Sequence, residues 1–579
     1  MNKFDTNLAK LQECLKEKGL KSYIIFVQDY HLSEYTHEYF SLERKNVCSF
    51  LGSDGYVLVT QDKAYLYTDG RYWMEAEIEL KGTNVELVRM GAAGVPSVYD
   101  FVKSNNLFPL GFDFRLMSAM QYEKIKDWDI KDVSFFNLVE NPTPLPFNKI
   151  WKLSDKLLST TLEERVNTVM DKANSLGAES FLLTTLDDVA YLLGARSSDV
   201  PCNPVFYSYL YIDKDRHITL FTDAKEICEL NNVEVKPYSE IDNFLIERKN
   251  VPTLVDPSRV NAHLYNILTH KVCAENPTVL MKAVKGPVEI KNIKRVHQQD
   301  GLAMLKFYKF IKEHAKENLS EMDYSDELKK FRFENKEIFD LSFPTIAGFG
   351  QNGAMMHYEP TYENCAICDP KENTFLLVDS GGQYYGGTTD ITRTYFFGKP
   401  SKEMVRDYTL TLKSVIDLSM TVFMEGSTGT TIDIKARENM WRLGMDYKCG
   451  TGHGVGYILN VHEGPNRFYY TRQNSVMLPG MITTIEPGVY KDYRYGIRIE
   501  NELLTVPAFK TKDGTFYKFE PVTYAPIAVE HLDLKLLSDE EIKYLNDYHK
   551  LVNKKLTPLI KDKKLKAFLD KVTKPVVRK

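Results

Sequence analysis

The stretch Thr374-Phe-Leu-Leu-Val-Asp379-Ser-Gly-Gly-Gln-Tyr-Tyr-Gly-Gly-Thr-Thr-Asp390-Ile-Thr-Arg-Thr-Tyr-Phe-Phe397 decides how this chain is read. Two runs of β-branched, aliphatic and aromatic residues flank a glycine-rich centre, the pattern of two strands joined by a tight turn. Each arm carries one aspartate. Asp379 and Asp390 are eleven residues apart, and an odd separation lets them stand directly opposite each other in a regular hairpin closed by a two-residue loop. Their Cβ atoms would then be about 4.5–5.5 Å apart, where two carboxylates repel unless a proton or a cation sits between them. A metal ion is the economical explanation. For the hairpin taken alone, an equally open alternative is a bulged pair of strands with both carboxylates in water.

Three further motifs lie downstream. Cys449-Gly-Thr-Gly-His453-Gly-Val-Gly-Tyr457 sets a histidine among closely spaced glycines, with His462 following in Asn460-Val-His-Glu-Gly-Pro465. Glycines at alternate positions let the backbone approach closely while presenting a side chain. Neither a dinucleotide nor a phosphate-loop fingerprint fits the motif, and a lone histidine there is as readily structural. Thr483-Thr-Ile-Glu486-Pro-Gly488 and Tyr495-Gly-Ile-Arg498-Ile-Glu500-Asn501 then embed acids in strand-like runs. Alternation puts Ile497, Ile499 and Asn501 on one face and Arg498 with Glu500 on the other. Pro487 keeps Glu486 extended, where an unpaired charge is costly. Four carboxylates and one imidazole favour hard or borderline divalent ions such as Mn²⁺, Co²⁺ or Mg²⁺ over a structural zinc cage. Four negative charges match two dications.

The chain has 579 residues, with 74 Lys plus Arg against 79 Asp plus Glu for a formal charge of −5. That balance argues against a nucleic-acid or anionic-membrane partner. A hydrophobic content of 43% with 26% charged residues is that of a folded chain. No signal peptide and no apolar run long enough for a membrane span are read, and eight scattered cysteines suit a reducing, cytoplasmic setting. Cys365 and Cys368 form a C-x-x-C with no second pair at zinc-ribbon spacing.

Residues 8–26 read as an amphipathic helix and a short apolar strand, and 162–183 repeat that plan. Gly55-Tyr-Val-Leu-Val-Thr60 with Ala64-Tyr-Leu-Tyr-Thr-Asp69 is echoed by Ser208-Tyr-Leu-Tyr-Ile212 with His217-Ile-Thr-Leu-Phe-Thr-Asp223. Two successive α/β domains of related design are therefore expected. Asn141-Pro-Thr-Pro-Leu-Pro-Phe147 separates them, since neither helix nor central strand runs through three spaced prolines. Gly286-Pro287 punctuates the chain again, and residues 288–317 read as one long helix. The expected domains are 1–145, 146–286 and 287–579. The lysine-rich tail, 561–579, reads as a solvated or frayed helix end.

Asp379, Asp390, His453, Glu486 and Glu500, in this order and with these neighbours, resemble the ligand set of the pita-bread metallopeptidases, which include methionine aminopeptidase, prolidase and aminopeptidase P. The resemblance is strongest to the three-domain, eukaryotic cytosolic type of aminopeptidase P. It also rests on Thr68-Asp-Gly-Arg-Tyr-Trp73, Ser198-Asp-Val-Pro-Cys-Asn-Pro-Val-Phe-Tyr-Ser-Tyr209, Leu341-Ser-Phe-Pro-Thr345, Phe519-Glu-Pro-Val-Thr523 and Leu545-Asn-Asp-Tyr-His549. It implies an α/β and α+β fold, with two creatinase-like N-terminal α/β domains followed by a pita-bread catalytic domain.

The resemblance further implies two divalent ions, manganese first with cobalt or zinc as alternatives. Asp379 would hold one, His453 and Glu486 the other, and Asp390 and Glu500 both. A hydroxide between the ions would attack the carbonyl before proline, with Glu486 as proton acceptor. His357, in Gly353-Ala-Met-Met-His-Tyr-Glu-Pro360, would stabilise the tetrahedral intermediate, His462 would position substrate, and Arg498 would brace the ligand carboxylates. The implied partners are peptides with penultimate proline and a second copy of the chain. One departure is Cys449, where the family commonly has a histidine; a thiol is not the same cationic donor. Prolidase, which cleaves only the dipeptide, is the alternative activity, and a non-catalytic scaffold is the reading from a different class.

Overall fold

The computed structural model describes residues 2–471 and 475–578. Two compact units emerge, one of residues 1–154 with 160–279 and the other of residues 155–159 with 280–579.

The first unit contains the same sheet twice. Its first half holds helix α1 (Lys3–Glu17) and strands β1 (Ser22–Ile25), β2 (Tyr56–Thr60), β3 (Ala64–Thr68), β4 (Val85–Arg89), β5 (Leu110–Phe112) and β6 (Ile130–Asp132), in the order β4-β3-β2-β1-β5-β6. The second half holds α2 (Leu162–Ser175) and β7 (Ser180–Leu183), β8 (Tyr209–Ile212), β9 (Ile218–Phe221), β10 (Val233–Lys236), β11 (Thr253–Val255) and β12 (Lys271–Cys273), in the order β10-β9-β8-β7-β11-β12. The central strand of each pairs antiparallel with the hairpin strand on one side and parallel with the strand on the other. The echo read in the sequence is thus a duplicated topology. Each helix exists because its apolar residues recur at helical spacing, as with Leu8, Leu11 and Leu15 of α1, all buried. Thr161 and Glu164 close α2 with a capping box.

The second unit opens with α3 (Pro287–His314), 28 residues capped by Gly286 with Pro287 in its first turn, where the missing N–H costs nothing. Helix α4 (Glu321–Phe333) follows, then β13 (Ile338–Leu341), β14 (Ile346–Phe349), β15 (Thr374–Ser380), β16 (Gly382–Tyr384), β17 (Gly387–Thr388), β18 (Ile391–Phe397), α5 (Lys402–Ser419) and β19 (Val422–Met424). Strands β20 (Gly452–Gly454), β21 (Glu463–Phe468), β22 (Ile482–Ile485), β23 (Gly488–Lys491), β24 (Tyr495–Arg498), β25 (Asn501–Thr511) and β26 (Gly514–Pro521) complete the sheets, and α6 (Asp539–Leu556) and α7 (Lys563–Val572) end the unit. The main sheets run β14-β15-β18 and β19-β26-β25-β22-β20-β21. One continuous core joins Leu305 and Tyr308 of α3, Leu412 and Ile416 of α5, and Tyr548 and Val552 of α6 to Leu376 and Val378 of β15.

Two expectations change here. The lysine-rich tail is a packed amphipathic helix, α7, because Leu565 and Leu569 are buried in that core. The two aspartates are not directly opposite: Asp379 faces Thr392. The turn falls at Tyr385-Gly386, between the paired Tyr384 and Gly387, where Gly386 takes φ +138°, a conformation natural only to glycine. Centring the turn there moves Asp390 two positions along from Asp379's partner. A shift of two preserves side-chain parity, so both carboxylates keep the same face.

Candidate metal centre

Strand β18 supplies the floor of the site by alternation. Asp390, just before β18, and Thr392 and Thr394 within it point toward β24 and its continuation, while Arg393 points the other way and ties the strand to residues 525–526 and to α6. The Arg393 guanidinium donates to the carbonyls of Glu500 (2.5 Å), Pro526 (3.0 Å) and Ala525 (2.9 Å) and to the Tyr548 hydroxyl (3.1 Å). A wholly buried cation is tolerable because every acceptor is fixed by the fold.

Arg498, the last residue of β24, and Glu500, two positions on in the link to β25, both reach Thr392, the parity that alternation predicts. Thr392 Oγ1 donates to Glu500 Oε2 at 2.7 Å and accepts from Arg498 Nε at 3.1 Å. Arg498 Nη2 donates to Asp379 Oδ2 at 2.7 Å and Nη1 to the Tyr490 hydroxyl at 2.8 Å. One hydroxyl and one guanidinium therefore set the orientation of two carboxylates. Arg498 is held well above its ordinary value; burial opposes its charge, but Tyr490 and the carboxylates of Asp379 and Glu486 outweigh it.

His453, on β20, places Nδ1 2.9 Å from the Gly454 carbonyl. A carbonyl only accepts, so Nδ1 carries a proton and Nε2 is the nitrogen left to face the cluster. That nitrogen lies 3.4 Å from Asp390 Oδ2 and 3.4 Å from Glu486 Oε1. An imidazole nitrogen between two carboxylate oxygens is the donor arrangement that a divalent ion takes up. Glu486 is placed by its own N–H, which donates to the Thr451 carbonyl at 2.7 Å.

The donor set fits divalent ions. Ligand atoms of Asp390, His453 and Glu500 lie within 4.8 Å of one another. Asp379 Oδ1 and Glu500 Oε1 are buried with no hydrogen-bond partner, which is costly for carboxylate oxygens unless a cation meets them. Asp390 is pushed well above the carboxylate range by burial, then by the charges of Asp379 and Glu486. Glu500 is raised by burial, then by Asp390, Glu486 and Asp379. The carboxylates oppose one another's ionisation, and a pair of dications is what relieves this.

The remaining expected residues flank this cluster. The His462 ring centroid is 4.1 Å from that of His453, and the next residue, Glu463, is held by Lys285 Nζ at 2.5 Å in a buried pair. His357 follows a 3-10 turn (Gly350–Ala354), and the carbonyl before it, on Met356, accepts from Arg498 Nη2 at 3.4 Å. Cys449 packs beside Tyr490 in a small cluster with Met440, Tyr447 and Val489. Cys368 is a core residue whose thiol is driven up by burial.

Sequence reasoning missed Glu502 and His297. Glu502 Oε1 accepts the Asp390 N–H at 2.8 Å and lies 3.0 Å from His297 Nε2. His297 Nδ1 in turn donates to the Ile293 carbonyl at 2.9 Å. Burial opposes charge on His297, but the Glu502 carboxylate outweighs it and raises the imidazole above its ordinary value. Glu502, in β25, follows Glu500 by two positions, a parity signal that could have found it; His297, on the buried side of α3, carried none.

Comparison with known proteins places this geometry among relatives. The sequence model "Metallopeptidase family M24" matches residues 291–507, and two "Creatinase/Prolidase N-terminal domain" models match residues 7–138 and 140–289. Aminopeptidase P2 of Arabidopsis thaliana is 34% identical, over 99% of this chain and 89% of the relative. The crystal structure of X-prolyl aminopeptidase from Caenorhabditis elegans, described as a cytosolic enzyme with a di-nuclear active site, is similar with a TM-score of 0.92 and 30% identity, over 99% of both chains. An Xaa-Pro dipeptidase from Bacillus anthracis, 22% identical with a TM-score of 0.51, shares the fold over 64% of this chain and 99% of its own.

Proposed function

The chain belongs to metallopeptidase family M24, and from that premise we propose that it removes the N-terminal residue from peptides whose second residue is proline. The observation that carries this reading is coverage. Likeness to an aminopeptidase P2 and to an X-prolyl aminopeptidase runs through both N-terminal halves and the catalytic unit together, over 99% of the chain. The dipeptidase relative is spanned almost whole by 64% of this chain, so its activity does not account for the duplicated first unit. Domains 1–145, 146–286 and 287–579 are the division that best fits this reading.

Asp379, Asp390, His453, Glu486 and Glu500 would together hold two divalent ions. Manganese is the first candidate, with cobalt or zinc as alternatives. When bound, the ions polarise the scissile carbonyl and lower the pKa of water. Glu486 accepts the proton of the water that attacks the carbonyl carbon, and passes it to the proline nitrogen as the C–N bond breaks. His357 donates to the oxyanion, His462 orients the substrate backbone, and Arg498 holds Asp379 in place. A dedicated enzyme is needed because the X-Pro bond lacks the N–H that general peptidases grip, and its φ is restricted. We further place the protein in the cytosol as a homodimer; the described cysteines are all free thiols, and the Caenorhabditis elegans relative is described as cytosolic.

The test is hydrolysis of an Xaa-Pro-Xaa tripeptide and the matching Xaa-Pro dipeptide by stripped enzyme resupplied with Mn²⁺, beside Asp390→Asn. Release of the first residue from the tripeptide, absent in the variant, is the expected result. Cleavage of the dipeptide alone would replace this reading with prolidase, and metal uptake without turnover of either would replace it with a scaffold.

A further inference from the structure

Glu321 is the first residue of α4, directly after the Ser320 cap, and its side chain is wholly buried. Its carboxylate lies far from the five acidic and imidazole groups in sequence, yet it gathers donors from both sides of His357. Glu321 Oε1 accepts from the Phe349 N–H at 2.6 Å and from Asn352 Nδ2 at 3.0 Å. Glu321 Oε2 accepts from the Tyr358 hydroxyl at 2.8 Å, the Ala366 N–H at 2.7 Å and Asn352 Nδ2 at 3.1 Å. The Glu321 N–H donates to the Ala366 carbonyl at 3.0 Å, so residue 366 is gripped twice.

Burial raises the Glu321 pKa, and the four donor groups that converge on its two oxygens counter that rise. An amide in its place would turn an NH₂ toward an N–H or a hydroxyl and leave buried donors unmet. The segment so held, residues 349–366, has little regular structure of its own. At its start it lies hard against β24, the strand that carries Arg498: a Cβ on Gly496 would come within 1.6 Å of the Gly353 carbonyl oxygen. Beyond that point Met356 meets Arg498. The segment is therefore fixed at β24 on one side and at Glu321 on the other, with His357 between.

We propose that Glu321 is a positioning residue for the reaction, holding His357 against the scissile carbonyl through the Phe349, Asn352, Tyr358 and Ala366 contacts. This rests on the role given to His357 above. A carboxylate 36 positions away in sequence thereby sets the precision of a catalytic imidazole without touching substrate.

The test is a double-mutant cycle on kcat/KM with Mn²⁺-loaded full-length enzyme: wild type, Glu321→Gln, His357→Ala and both together, with metal content and thermal midpoint measured for each. Glu321→Gln is expected to lower kcat by ~10–100-fold with KM little changed and metal content intact. His357→Ala should cost roughly 10²–10³-fold, and the double variant should be no worse than His357→Ala, within about twofold. Tyr358→Phe, which removes a single donor and keeps the ring, gives the same cycle if Glu321→Gln does not fold. Losses that multiply would overturn the proposal while leaving His357 in its role. Full activity in His357→Ala would overturn the role of His357, and the proposal with it.

Discussion

Thr392 carries more of the site than its size suggests. Its hydroxyl donates to Glu500 and accepts from Arg498, so one proton position determines which way a carboxylate and a guanidinium point. Valine has nearly the same shape and no hydroxyl. In Thr392→Val, Glu500 Oε2 loses its donor and Arg498 Nε its acceptor, in a place where water has no access. Affinity for Mn²⁺ should fall by ~10–100-fold, the usual cost of removing an outer hydrogen-bond partner of a ligand. Titration of stripped protein with Mn²⁺ measures this directly, and an unchanged affinity would show that Glu500 orients itself. The five candidate ligands were legible as residues because acids in β-branched runs and a histidine among glycines are locally improbable. Thr392 was not, since threonine in a strand is ordinary and its role appears only when Glu500, 108 positions away, is folded against it.

Helix α6 shows how an element reports on pH. His549 is fully buried on it, and Nε2 accepts the Ile527 N–H at 3.2 Å, which requires the neutral ring. Burial, with the nearby Arg393 cation, drives its pKa down to about 4. A histidine depressed in the folded state stabilises above its unfolded pKa, near 6.5, and that contribution is lost as pH falls through the window toward 4. The shift corresponds to roughly 3 kcal/mol. Wild type should lose thermal stability between pH 7 and pH 4.5 more steeply than His549→Gln, which offers an uncharged acceptor. Parallel unfolding curves for the two proteins across that range would exclude His549 as the source. At the same scale, the hairpin of Asp379 and Asp390 marks how far periodicity reaches. Parity within β15 and β18 was readable, and the facing of both carboxylates followed from it. The register was not, because Gly381, Gly382, Gly386 and Gly387 all permit turns and only the packing of β16 and β17 beside α3 selects Tyr385-Gly386.

For the molecule as a whole, the buried carboxylates make folding and metal occupancy one equilibrium. The unfolded chain offers no preformed site, so ions bound to the native state stabilise it, by about 2.7 kcal/mol at a free concentration 100 times Kd. Chelation should therefore lower the calorimetric transition that Mn²⁺ restores by several degrees, and a transition indifferent to chelator would argue against metal at these residues. The duplicated sheet of the first unit and the long helix that opens the second were determined by the sequence alone. Strand alternation, helical spacing and proline breaks are properties of neighbouring residues and need no partner to be visible. So were the residue types of the candidate centre. Tertiary structure decided what surrounds them: the two-residue offset of the aspartates, the His297–Glu502 pair behind Asp390, the packed tail helix, and the grip of Glu321 on the His357 segment. Each depends on groups brought together from distant parts of the chain, where burial removes water and leaves every polar atom to be satisfied by whichever partner the fold supplies.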